Sequence, residues 1–117
     1  MKTRLPNSTF VLCFLLLLTS TALAVKPNSN RRFKSTVLPI LENKCFVCHG
    51  PDVQEADIRL DNLSTDFLTD RAAATAWHEA MHVLNKGEMP PKDADPLTAK
   101  ERSVLVGWIR GEIDRVK

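Results

Sequence analysis

Three neighbouring residues, Cys45, Cys48 and His49, have the types and spacing that could do chemistry. Two thiols separated by two residues can each form a thioether to a vinyl group of one porphyrin. The imidazole that follows at once then lies beneath the iron and can offer Nε2 as a ligand. Cys45-Phe46-Val47-Cys48-His49 therefore predicts one covalently attached haem c, with Cys45 and Cys48 as attachment points and His49 as the proximal iron ligand. Covalent attachment would also keep the group from being lost outside the cell. Two rival readings are weaker. A redox dithiol usually accompanies a βαβ pattern, and no stretch here alternates with period two. A zinc site needs two further ligands, and the remaining cysteine, Cys13, belongs to a segment expected to be removed.

A second axial ligand is sought among the methionines and histidines. Met89 stands in Lys86-Gly87-Glu88-Met89-Pro90-Pro91-Lys92, a stretch stiffened by two prolines. A thioether on such a loop can close over the opposite haem face, and a loop already ordered loses less entropy in doing so. Met1 leaves with the N-terminal segment, and Met81 belongs to a buried helical stripe. Met89 is thus the expected distal ligand, and Met ligation raises the potential relative to two histidines. His78 and His82 are the competitors, one turn apart but well off the apolar face of their helix. His78-Glu79-Ala80-Met81-His82 also spells H-E-x-x-H, the zinc peptidase pattern, on a predicted helix. Catalytic zinc needs a third protein ligand and a cleft around bound water, for which a domain of roughly 80 residues has little room. Two exposed histidines are the better reading.

Three helical patterns position these residues, and an all-α fold with no sheet is expected. The first helix is predicted over 36–46, with Ser35 or Thr36 as N-cap and Pro39 in the first turn, where its missing N–H is not needed. Val37, Leu38, Leu41 and Cys45 share one face of it. The second spans 71–85, capped by Asp70 and stopped at Gly87, with Ala73, Trp77, Ala80, Met81 and Leu84 inward. The third opens on the capping box Thr98-Ala99-Lys100-Glu101 and turns Leu105, Trp108, Ile109, Ile113 and Val116 inward. Glu112 falls in that arc without a reason legible in the sequence. Five aromatic residues beyond the N-terminal segment make a thin core, the kind that commonly leans on a disulfide, metal or cofactor.

The N-terminus reads as an address. Lys2 and Arg4, an apolar run from Phe10 to Leu18 and Ala22-Leu23-Ala24 have the order of a secretory signal peptide over 1–24. The run is short for a bilayer span of ~20 residues, so membrane association through this segment is expected only if it stays uncleaved. Export places the protein in the periplasm or another extracytoplasmic space. Residues 25–34 read as a flexible basic leader, and 35–117 as the domain. Removing Lys2 and Arg4 brings the 16 basic residues level with the 14 acidic ones. A neutral chain has no basic field to hold phosphate, so no nucleic-acid partner is expected.

The flanking residues carry a resemblance. Leu38-Pro39-Ile40-Leu41, Cys45-x-x-Cys48-His49-Gly50-Pro51-Asp52, Arg59-Leu60-Asp61, Trp77, Gly87-Glu88-Met89-Pro90-Pro91 and Trp108 resemble the planctomycete-type cytochrome c domain. That resemblance implies the small class I cytochrome c fold, about three helices around a covalent haem, with His49 proximal and Met89 distal. The expected function is an exported monohaem c-type cytochrome that transfers single electrons, not an enzyme in itself. A monomer meeting a redox partner protein transiently is expected. The alternative is a haem-based sensor or peroxidase-like site whose Met89 detaches; an H-E-x-x-H zinc peptidase is the remote one.

Overall fold

The computed structural model describes Thr3 and residues 28–117. The signal-peptide reading of 1–24 therefore falls outside the described residues save Thr3, as does 25–27 of the leader. The described fold is all-α, with three helical bodies and no strand among the described residues.

The first body starts seven residues earlier than the sequence pattern places it. Asn28 caps α1 (Ser29–Arg32) by accepting from the Asn30 N–H at 3.0 Å. The helix runs through a π-type segment (Phe33–Val37) into α2 (Leu38–Lys44). Pro39 argues for a helix start near Ser35, because a proline ring clashes with the carbonyl four residues back. The π segment removes that objection. Its wider turn lets the Leu38 N–H reach the Phe33 carbonyl, five residues back, just before the proline. Thr36 Oγ1 donates to the Arg32 carbonyl at 2.7 Å alongside it.

The other two bodies begin and end where their caps stand. Asp70 accepts from the Ala73 N–H at 2.9 Å and opens α3 (Arg71–Lys86). Gly87, at φ 72°, closes it: the Gly87 N–H reaches the Leu84 carbonyl and the Glu88 N–H reaches Val83. This is the paired bonding of a Schellman stop, which needs a left-handed residue. Thr98 and Glu101 exchange the two bonds of a capping box at the head of α4 (Ala99–Arg115).

Packing then joins the bodies through aromatic rings. Trp108 on α4 meets Phe33 of the first body at 4.8 Å, Trp77 of α3 at 5.2 Å and Phe67 of the intervening loop at 5.7 Å. Val37, Leu41, Leu84, Leu97, Leu105 and Ile109 complete the buried core. Glu112 acquires its reason here. It is 5 % exposed, accepts from Ser29 Oγ at the start of the first body, and takes two bonds from Arg115. The carboxylate is the polar tie between α1 and α4, made by groups 83 residues apart in sequence.

Several carboxylates owe their acidity to this fold. Thr69 holds Asp66 below the usual range, the Thr98 N–H does so for Glu101, and Arg59 and Lys117 do so for Asp61 and Asp114. Because these groups are more acidic folded than unfolded, their contribution is complete above the unfolded value and lost as pH falls. We expect a melting temperature that is level near neutrality and falls below about pH 4. An unchanged melt at pH 3 by circular dichroism would contradict this.

Candidate haem-attachment site

Cys45 closes α2, and the Cys45 and Phe46 N–H groups both bond the Leu41 carbonyl at 2.9 Å. The chain then coils tightly, with the Cys48 and His49 N–H groups donating to the Cys45 carbonyl at 3.2 and 2.8 Å. Gly50 makes this coil possible: a Cβ there would stand 2.2 Å from the Phe46 carbonyl oxygen. No other residue fits without moving the backbone. Beyond it, the Gly50 N–H meets the Val53 carbonyl and the Glu55 N–H meets that of Cys48. The two residues Ala56 and Asp57 both take left-handed φ, 56° and 58°. Such strain in non-glycine residues persists only where surrounding bonds enforce it.

That turn delivers the Ile58 carbonyl to His49. Nδ1 of His49 lies 3.3 Å from the Ile58 oxygen, while the His49 carbonyl accepts from the Leu60 N–H at 2.8 Å. A carbonyl only accepts, so the proton of the neutral ring sits on Nδ1 and Nε2 carries the free lone pair. Ligating histidines are commonly held this way, through the other ring nitrogen.

The thiols beside it are free and half-buried. Burial, and then the neighbouring Cys48, push the Cys45 thiol up to about 11. A redox-active dithiol needs a shift in the opposite direction, so the chemistry of this pair does not favour that role. The surroundings are apolar and open. Val47, Val53 and Ile58, on or just after this turn, are three of the five large apolar residues left exposed among the described ones, Val47 at 70 %; Met89, on the loop after α3, is another. Two thiols, an oriented imidazole and uncovered apolar side chains fit a large apolar macrocycle held by thioethers.

Met89 follows the Schellman stop of α3 directly, so Gly87 decides where its loop departs. The Met89 carbonyl accepts from Arg102 at 3.4 Å, and Arg102 also donates to the Leu84 carbonyl. Further along the loop, Asp95 pairs with Lys44, the residue preceding Cys45. The thiol turn and the Met89 loop are thereby tied to each other. Sequence reasoning missed Ile58, Lys44, Asp95 and Arg102. The first acts through its backbone, and the others look like ordinary surface charges until the chain is folded.

Other candidates stand apart. His78 and His82 lie exposed on α3, His78 Nδ1 being 3.9 Å from its neighbour Glu79. Among the described residues no three His, Cys, Asp or Glu side chains gather closely enough to hold a metal ion. Arg59 forks onto Asp61 at 2.8 and 3.0 Å.

A family model described as planctomycete cytochrome C matches residues 45–93, which include the whole thiol turn, His49 and Met89. No curated protein and no solved structure matches the chain.

Proposed function

With residues 45–93 matching the planctomycete cytochrome c family, whose cofactor is covalent haem c, we propose that this chain is an exported monohaem electron carrier. Haem c supplies reversible one-electron chemistry at iron, and the chain's residues hold and tune it. Cys45 and Cys48 would bind it by thioethers at the end of α2, where the Leu41 carbonyl anchors the backbone. His49 would offer Nε2 from one side and Met89 its sulfur from the other. With His49 and Met89 both bound, the iron would keep no free position for a substrate, which suits electron transfer without catalysis.

The observation that carries this reading is the His49–Ile58 bond beside two free thiols. It keeps the proton on Nδ1 and orients the ring before any ligand arrives, so less order is lost on binding. The basic segment Lys26, Arg31, Arg32 and Lys34 precedes a remainder with ten basic and 14 acidic residues. A monomer of this mild acidity would meet its redox partner through a small, short-lived interface in the periplasm or another extracytoplasmic space.

Met89→Ala tests the ligand set. The oxidised wild type is expected to show the weak iron–sulfur charge-transfer band, and the variant to lose it and fall in potential. An unchanged spectrum would move the sixth ligand to His78 or His82. A second reading rests on the exposure of Met89, 36 %: a sulfur that detaches would make the site a sensor or a peroxidase-like centre. Rapid, tight carbon monoxide binding by the reduced wild type, without denaturant, would favour it.

A further inference from the structure

Arg102 closes the first turn of α4, far in sequence from the thiol turn, and its guanidinium reaches two backbone oxygens of a different part of the fold. One is the Leu84 carbonyl in the last turn of α3; the other, at 3.4 Å, is the Met89 carbonyl. A helix C-terminus presents carbonyls that its own N–H groups do not satisfy, and a cation there is favoured by the aligned backbone dipoles. Leu84 is already used once, by the Gly87 N–H of the Schellman stop. Arg102 adds a charge-assisted bond to the same oxygen and extends a second to the residue whose side chain closes the site. Both bonds leave one nitrogen, Nη1, whose two N–H groups are held in the guanidinium plane, whereas the donors of a lysine ammonium rotate freely.

We propose that Arg102 is a positioning residue for the distal ligand: it fastens the Met89 backbone to the end of α3 and so sets how readily the sulfur leaves the iron. The proposal rests on Met89 being that ligand. The loop's other restraints act at a distance from the sulfur. Lys44 grips Asp95, six residues on, and Leu97 enters the core beyond it. Gly87 fixes where the loop departs, and the prolines stiffen the stretch after Met89. Among the described residues Arg102 alone hydrogen-bonds Met89 itself, so its loss frees the ligand while the haem attachment stays intact.

The test uses the haem-loaded protein. Arg102→Met keeps an apolar stem and removes every donor. Loss of charge-assisted bonds to the loop is expected to raise the sulfur-detached population about tenfold. The readouts are a weakened iron–sulfur band in the oxidised form and carbon monoxide association with the reduced form faster by about the same factor. Thr98→Ala is the control: it removes the cap of α4 and destabilises the same helix, at the far end of the loop from Met89, while keeping both Arg102 bonds. It should leave band and association rate unchanged. If Arg102→Met is too unstable to isolate, Arg102→Lys keeps charge and length and is read the same way, with smaller shifts in the same direction. Wild-type values for both readouts in the Arg102 variant would overturn the proposal, as would equal changes in Thr98→Ala. Failure of the ligand reading looks different: Met89→Ala would then leave the band in place whatever Arg102 does.

Discussion

A Cys45→Ala/Cys48→Ala variant, made in cells that attach haem to exported chains, will carry no haem that survives acidified organic solvent. The wild type, prepared alongside, will carry one haem in its intact mass and keep its colour through the same extraction. The expected effect is all or none, because thioether bonds do not exchange and axial bonds from His49 and Met89 do. The geometry makes the attribution specific. No other cysteine stands among the described residues, and both thiols sit on the turn that ends in the oriented His49. Solvent-resistant haem in the double variant, or a wild type of apoprotein mass, would sink the assignment. Apolar side chains at Val47, Val53 and Ile58 would then need another partner to cover them.

The second large effect concerns the core. Trp108→Ala should destabilise the protein by about 3–5 kcal/mol, a large share of the 5–15 kcal/mol typical of a folded domain. Trp108 is 2 % exposed and touches all three helical bodies or their connecting loop through Phe33, Trp77 and Phe67. Its indole N–H, however, is buried without a partner among the described residues, whereas that of Trp77 donates to the Ser64 carbonyl at 2.8 Å. An unpaired buried donor costs roughly 1–3 kcal/mol. Trp108→Phe keeps a ring and removes that donor, so it should cost less than half as much as Trp108→Ala. Denaturant unfolding of the two variants checks both statements; equal losses would contradict the second.

Much of this was legible in the residues. Asp70, Gly87, Thr98 and Glu101 mark helix ends by local bonding, so their positions in sequence suffice to place α3 and α4 within a residue. The buried faces follow from helical spacing, and Ala73, Trp77, Leu84, Leu105, Trp108 and Ile109 are where the period puts them. The first body resisted for a physical reason. Proline argues for a helix start, and only a π-type turn, stabilised by packing of Phe33 on Trp108, lets the helix begin at Ser29 instead.

What the sequence alone determined is the chemistry: two thiols and an imidazole at one spacing, a methionine before two prolines, and caps that end helices. These depend on neighbours along the chain. What only the tertiary structure decided is how those groups are held. Ile58 orients His49, Lys44 meets Asp95, Arg102 holds the Met89 backbone, and Ser29 and Arg115 satisfy a buried Glu112. Most of these bonds join residues distant in sequence, and two use backbone oxygens, which every residue type supplies alike. A one-dimensional pattern holds no record of them.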